Sequence, residues 1–440
     1  MLEVLGIVAF AILIGASIAL HEVGHLVPAK AFGVKVTEYM VGFGPTVWSK
    51  VRGETRYGFK AIPLGGYIRM IGMLAPVPQA AVTAAEAKPP GRFARMVADA
   101  REQSAQEVPP GEEDRAFYSL PVRKRIVIML GGPTMNLLLA FVLFGIVLVG
   151  IGLPQPTTAI AQVATCTPTA EHPTAAPLPS GNCPDGSAPA PAAVAGLAAG
   201  DQIVAIDGAA VATWNQATDW IRAHPGKSAT LTVVRDGARR ELPIAIASAD
   251  RPVFDDQGQP TGETATAGYI GIVPAMTWVS QPWTQVPVFM WDLTVQSVQA
   301  LVMLPVHLYE LVTQTLVGGQ ERPVDSPVSV VGVSRLGGEI AAMDEPWRAK
   351  AATFLSLIAS LNLFLFLFNL VPVLPLDGGH VAGALYEGTR RKVARWRGRP
   401  DPGPVDMARL LPVAYVVAGL LIVMGGIVIW ADLVKPISLG

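Results

Sequence analysis

Cysteine is nearly absent from this 440-residue chain, which has two. Two cysteines cannot build a disulfide-dense scaffold or a four-cysteine zinc site. Charge is scarce as well, at 15% Asp, Glu, Lys and Arg against about 25% in soluble domains. Neither sign is in excess, and a net charge of −1 excludes a globally basic nucleic-acid binder. A Walker phosphate loop is missing, because Gly226-Lys227-Ser228 has no glycine at the required upstream spacing. Apolar residues, in contrast, reach 51% and the mean hydropathy is +0.42. A disordered chain, a coiled coil and an ordinary cytosolic enzyme are thereby excluded. At about 150 residues per domain the length suggests about three structural units. The composition implies a membrane protein with a sizeable water-exposed part.

Four stretches are long and apolar enough to cross about 30 Å of hydrocarbon: about Leu5 to Ala29, Ile126 to Leu153, Phe354 to Leu374 and Leu410 to Trp430. A fifth, about Val286 to Leu304, is interrupted by Asp292, Gln296 and Gln299. Lys30 to Arg125 carries 15 of the 33 basic residues, Arg390 to Arg409 carries 7, and the longer stretch Pro154 to Lys350 only 10. The positive-inside bias therefore puts the first and third loops in the cytoplasm and the N-terminus outside. A fifth span would move Arg390 to Arg409 outside, so that stretch reads as an amphipathic helix on the outer surface, about Thr284 to Leu316. The first segment does not read as a cleaved signal peptide, since its start has Glu3 and no basic residue, and the apolar run ends in polar residues of functional character.

Polar residues inside these segments carry the chemistry. His21-Glu22-Val23-Gly24-His25 lies in the first span. Two histidines four apart share one helical face and can hold one zinc ion, with Glu22 placed to take a proton from water. Two imidazoles and a carboxylate in a span cost several kcal/mol unless they have a purpose. Such a site needs a third protein ligand. The third span ends in Asn369-Leu-Val-Pro372-Val-Leu-Pro375-Leu-Asp377-Gly378-Gly379-His380. Its prolines must break the helix, and irregular backbone at membrane depth is tolerated where it lines a cavity. Asp377 is the expected third ligand, with His380 the alternative. Both motifs sit toward the cytoplasmic ends of segments running the same way, hence at similar depth.

An H-E-x-x-H in the first span and an N-x-x-P-x-x-P-L-D-G-G in a later one make the chain resemble the site-2 protease family of intramembrane zinc metalloproteases. Within it, the sequence looks most like the sigma-E-regulator branch of actinobacterial type. The resemblance implies zinc (Zn2+) on His21, His25 and Asp377, with Glu22 as the general base. It implies Asn369 as a substrate-positioning residue. Asn362 does not carry over, because the family's two asparagines stand closer together. Gly131-Gly132-Pro133-Thr134-Met135-Asn136 reads either as a small-residue packing kink or, through the resemblance, as bringing Asn136 to face the active site. Arg56 to Met70 reads as a hairpin turning at Pro63 to Gly66. The family places such a hairpin, re-entering the membrane, beside the site, which implicates Gly65 and Gly66 in holding substrate extended. The implied substrates are single-pass membrane proteins, such as anti-sigma factors, already trimmed by an upstream protease; neither ATP nor nucleic acid is expected.

Ala188 to about Ala247 reads as strand, Asp207-Gly208 turn, helix at Trp214 to Ala223, then a hairpin turning at Asp236-Gly237, with a first strand at Thr158 to Thr165. This order resembles a PDZ domain of the bacterial protease type, which takes a peptide as an added strand. Cys166 and Cys183 lie in this outer, oxidising setting and are expected to form a disulfide.

The expected fold is therefore a polytopic α-helical membrane protein of about four transmembrane helices, with a membrane-associated β-hairpin and an extracytoplasmic PDZ-like α+β domain. Its parts are a first span at 1–30 and a cytoplasmic loop at 31–125 with the hairpin and a mobile insert, Pro76 to Asp114. A second span at 126–153, the PDZ-like domain at 154–275 and an amphipathic connector at 276–350 follow. The third span covers 351–380, a basic cytoplasmic loop 381–409, and the fourth span and tail 410–440. The expected location is a bacterial inner or plasma membrane, with the N-terminus and PDZ-like domain outside.

Overall fold

The computed structural model describes residues 1–74, 92–167, 183, 187–254, 260–320, 322–323 and 326–437. The chain divides into two compact units, one made of Met1–Ile151 with Pro282–Gly440 and the other of Gly152–Gln281.

The first unit is built on helices. α1 (Leu2–Ala31) follows from an unbroken apolar run, and Gly33, with φ of +86°, takes the chain out of it. The chain then forms β1 (Val36–Arg52) and β2 (Thr55–Met70), followed by α2 (Arg92–Gln106). α3 (Val122–Gly145) continues as a π-helical turn to Ile151. α1 and α3 cross at glycines: a Cβ on Gly24 would stand 2.3 Å from the Gly131 carbonyl oxygen, so only glycine lets the backbones meet.

β1 and β2 make more than the expected hairpin. Tyr39 pairs with Ile68 on one side and Tyr57 on the other, and Met40 with Tyr67 and Gly58. Further on, Trp48 pairs with Phe59 and Arg52 with Thr55. Two bent strands thus supply four rows, with 38–41 pairing antiparallel to 66–69 on one side and in parallel register with 56–59 on the other, and positive φ at Gly42, Gly44 and Gly65 accommodates the bending. The chain reverses twice, at Gly53 and Glu54 and again around the expected Pro63 to Gly66, since 56–59 run parallel to 38–41 and 66–69 antiparallel to it; the arms of the second turn do not pair with each other but flank β1. A two-residue alternation marks the arms of a turn but not the strand each arm pairs with, so the row of β1 between them was not legible.

The expected mobile insert also needs correction. Its first part, 76–91, lies outside the described residues. Its second part contains the helix α2, amphipathic and tied down by an Arg101–Asp406 ion pair and a Ser104–Leu74 hydrogen bond. An alanine- and glutamate-rich composition suits a helix once one face has something to pack on.

In the second unit, β3 (Leu153–Val163) leads to the short helix α4 (Pro191–Val194). Then come β4 (Gln202–Ile206), β5 (Ala209–Ala210), α5 (Trp214–Arg222), β6 (Ser228–Arg235) and β7 (Ala238–Ala245). β8 (Ala247–Phe254) and β9 (Pro260–Tyr269) pair with each other, and β10 (Ile272–Val279) ends the unit. The main sheet has the order β10-β3-β4-β6-β7, with β5 on β4. The core is Ile160, Ile203, Ile206, Ile221, Leu231 and Val233. Thr213 caps α5 in a reciprocal capping box with Gln216. Asp207 and Asp236 take positive φ at the two Asp-Gly turns. Cys166 and Cys183 are joined, with sulfurs 2.06 Å apart. A groove of about 670 Å³ runs between α5, at Trp214, Thr218 and Ile221, and the stretch Tyr269 to Ile272.

The first unit resumes with α6 (Gln285–Glu310), prolonged by a π-helical segment to Val317. α7 (Val330–Ala342), α8 (Trp347–Asn369), α9 (Asp377–Trp396) and α10 (Leu411–Val434) complete it. Five helices among the described residues are long and apolar enough to cross a membrane, the fifth being Gln285–Val317. The end of α3, the start of α8 and the end of α10 are linked at one level. Arg348 donates to the Ile151 carbonyl at 3.0 Å. Asp432 accepts from the Ser329 amide at 2.7 Å, and α7 in turn lays Gly337 and Gly338 against Gly6 of α1. Both ends of α6 meet this level: Phe289 stacks edge-on to Phe144, and Leu311 clusters with Val428 and Ala431.

Candidate metal centre

α8 stops at Asn369, and irregular backbone through Pro372 and Pro375 leads to Asp377 at the first turn of α9. The break delivers the Asp377 carboxylate to α1. His21 Nε2 and His25 Nε2 stand 3.2 Å apart, and each lies 3.3 Å from Asp377 Oδ2. Three donors at the corners of a triangle of about 3.3 Å match one face of a tetrahedron around zinc, with bonds of about 2.0–2.1 Å. Two imidazole nitrogens and a carboxylate oxygen converge on one point, as a shared cation requires. Among the described residues this is the cluster of His, Cys, Asp and Glu able to hold a metal ion.

The surroundings fix the donors. His25 Nδ1 donates to the Ile128 carbonyl at 2.8 Å, which leaves Nε2 as the free donor atom. Gly132 lies against both rings, where a Cβ would stand 2.2 Å from His25 Nε2 and 2.6 Å from His21 Nε2. Glu22 lies on the flank of the same face of α1, about 100° round from His21 and about 60° from His25. There it takes the backbone N–H of Ile68, and Gly66 is packed so closely that a Cβ would be 3.0 Å from Glu22 Cγ. Tyr39 donates to the Ala19 carbonyl at 2.8 Å, pinning the sheet to the helix. Gly65, at φ of +98°, meets the Phe43 ring.

Asn136 lies one turn after Gly132 on α3, 1% exposed, with neither side-chain atom partnered. Asn369 is half-buried and donates back to the Leu365 carbonyl at 3.0 Å. His380 is outside the triangle and instead lines a small cavity with Arg125 and Glu387, which form a buried ion pair. Gly132, expected only as part of a packing kink, touches the ligand rings, and Asn362, expected not to carry over, meets Ser17, a residue not singled out in the sequence. For Ser17 a signal existed, its i, i+4 spacing from His21; nothing local marked the contact of Gly132 with the rings.

The family model for peptidase family M50 matches residues 9–399. The chain belongs to peptidase family M50. It is 36% identical over 448 residues to the zinc metalloprotease Rip1 of Mycobacterium bovis (strain BCG / Pasteur 1173P2), covering 100% of both chains. To zinc metalloprotease Rip1 of Mycolicibacterium smegmatis it is 36% identical, over 99% of this chain and 98% of the relative. To zinc metalloprotease RasP of Geobacillus kaustophilus it is 26% identical, over 98% of each. It is a zinc-dependent metalloprotease of the site-2 type and a multi-pass membrane protein.

Proposed function

We propose that the protein is an intramembrane endopeptidase that cuts single-pass membrane proteins, such as anti-sigma factors, after another protease has trimmed them. The observation that carries this reading is the His21–His25–Asp377 triangle with Glu22 beside it, on helices whose composition suits hydrocarbon. The donor set fits zinc in charge and spacing, with a fourth position free for water or substrate. When bound, zinc polarises a carbonyl and makes water a better nucleophile near neutral pH.

The chain's own residues do the rest. His21, His25 and Asp377 are the ligands. Glu22 takes the proton of the attacking water as the water oxygen bonds to the scissile carbonyl carbon. It returns that proton to the amide nitrogen as the C–N bond breaks. A helical substrate hides its amides, so the bond must first be unwound. The β2 rows beside Gly65 and Gly66, already touching Glu22, are positioned to pair with an extended segment. Asn136 and Asn369 supply side-chain hydrogen bonds to the unwound backbone.

Four spans, α1, α3, α8 and α10, fit the charge bias, with the N-terminus and the second unit outside. α6 is then a helix lying across the outer ends of the spans. The support is that Phe289 and Leu311, 22 residues apart, pack on the ends of α3 and of α10 that lie at one level. The second unit acts as a PDZ-like filter, and the groove beside α5 supports that role. The decisive experiment compares cleavage of tagged single-pass membrane proteins by wild type and Glu22→Gln. Cleavage by the wild type alone supports the reading. Equal behaviour of the two would leave a zinc-binding scaffold that recruits partners.

A further inference from the structure

The three donors of the triangle come from two elements, α1 and α9, and the chain leading into α9 does little to align them. Between Asn369 and Asp377 the described backbone hydrogen bonds are those of tight turns: Val373 N–H to the Val371 carbonyl, and Leu376 N–H to that of Val373. Such bonds shape the loop and leave its place against α1 open. α3 touches both sides. It fixes the histidines, through the Ile128 carbonyl on His25 Nδ1 and through Gly132 against both rings. Arg125 precedes Gly132 by seven residues, about two turns, and so shares its face of α3. The Arg125 guanidinium pairs with Glu387 of α9. Glu387 follows Asp377 by ten residues, about 15 Å along α9 and about 80° round it.

Glu387 is 0% exposed, and both its oxygens are engaged. Arg125 donates to Oε1, and Arg391 Nη2 stands 3.1 Å from the same atom. The Val405 N–H donates to Oε2 at 3.0 Å. A buried pair of this kind adds little stability, because desolvation of the two charges offsets their attraction, and apolar residues of similar volume serve as well. Apolar contact is already present, since Val381 packs on the cluster that contains Leu26, Ile128 and Met129. What apolar contact lacks is direction. A guanidinium fork on a carboxylate fixes distance and angle, and with them the height and rotation of α9.

We infer that Arg125 and Glu387 are positioning residues for the metal centre: their ion pair seats α9 on α3 so that the Asp377 carboxylate meets the two histidines. The pair acts through Asp377 and touches neither metal nor substrate. The inference rests on the reading of Asp377 as a zinc ligand.

The test measures the zinc affinity of the full chain in detergent micelles, by competition with a chelator, and the Tm of the zinc-free chain beside it. Arg125→Met combined with Glu387→Leu removes both charges together. This double variant is expected to keep the zinc-free Tm near wild type and to bind zinc at least tenfold more weakly. Arg125→Lys keeps the charge and gives up the fork; it is expected to weaken zinc severalfold in a chain that folds. In an Asp377→Ala background, where zinc is already weakly held, neither change is expected to weaken it further. Wild-type zinc affinity in both variants overturns the assignment. So does an equal loss in the Asp377→Ala background, or a loss that follows the zinc-free Tm from variant to variant, the signature of a purely structural pair. Failure of the ligand reading shows separately, as wild-type zinc affinity in Asp377→Ala alone, and overturns the assignment with it.

Discussion

A glycine shapes the candidate metal centre as closely as the three side chains that would hold the ion. Gly132 leaves room for two imidazole rings where a methyl group would overlap both nitrogens. Gly132→Ala is therefore expected to displace the rings, lower zinc content and cut proteolysis by about 10²-fold or more, while the helices still fold. Metal analysis and circular dichroism read these separately, and full zinc with full activity would show that the rings move aside freely. In the second unit the telling residue is Asp201. Arg235 holds it with two hydrogen bonds of 2.6 and 2.7 Å, and the Ala198 amide adds a third at 2.9 Å. The Arg235 hydrogen bonds outweigh the opposing effect of burial and keep the Asp201 carboxyl below its usual range. A carboxylate depressed in the folded state stabilises the fold above its unfolded value of about 4 and stops doing so as pH falls through the folded value. Hydrogen-exchange protection of β4 and β6 should accordingly weaken below about pH 4. Arg235→Gln should lower it at pH 7 and flatten that pH dependence.

Among the elements, the bent β1–β2 sheet and the helix α6 do what their lengths alone do not suggest. The sheet gets four rows from two strands, and its turn at Pro63 to Gly66 brings Gly66 to Glu22. α6 and its extension cover 33 residues, about 50 Å of helix at 1.5 Å per residue, well over the hydrocarbon thickness. A helix of that length pinned at both ends suits a barrier that limits what reaches the spans. Val298→Pro breaks it, at about 3 kcal/mol locally, without touching the triangle. The variant is expected to cleave an untrimmed substrate that wild type rejects. If it cuts only trimmed substrate at normal protein levels, α6 is an anchor and not a barrier.

For the whole molecule the consequence is topology. Basic residues gather in 30–125 and 390–409, and the second unit is poor in them. Arg397→Cys should react with an impermeant thiol reagent only from the cytoplasmic side, and Asp236→Cys only from outside. The reagent works on a background lacking other accessible thiols, since Cys166 and Cys183 are joined. Labelling of Arg397→Cys from outside would add α6 to the spans and reverse the last loop.

The sequence by itself determined the chemistry-bearing positions. H-E-x-x-H states its own geometry, because helical spacing alone places His21 and His25 on one face. The prolines after Asn369 announce a broken helix, because proline cannot continue the hydrogen-bond ladder. The strands and Asp-Gly turns of the second unit follow from period-two patterns and positive-φ residues. Tertiary structure decided what local pattern cannot encode. Asp377, and not His380, meets the histidines because the broken segment carries it across to α1. The arms on either side of the Pro63 to Gly66 turn flank β1 and do not pair with each other, because alternation does not name a strand's partner. Gly24, Gly131 and Gly132 became a crossing point, and Ser17 found Asn362, through contacts between residues more than a hundred positions apart. Such contacts depend on which helix faces pack, and no window of sequence records that.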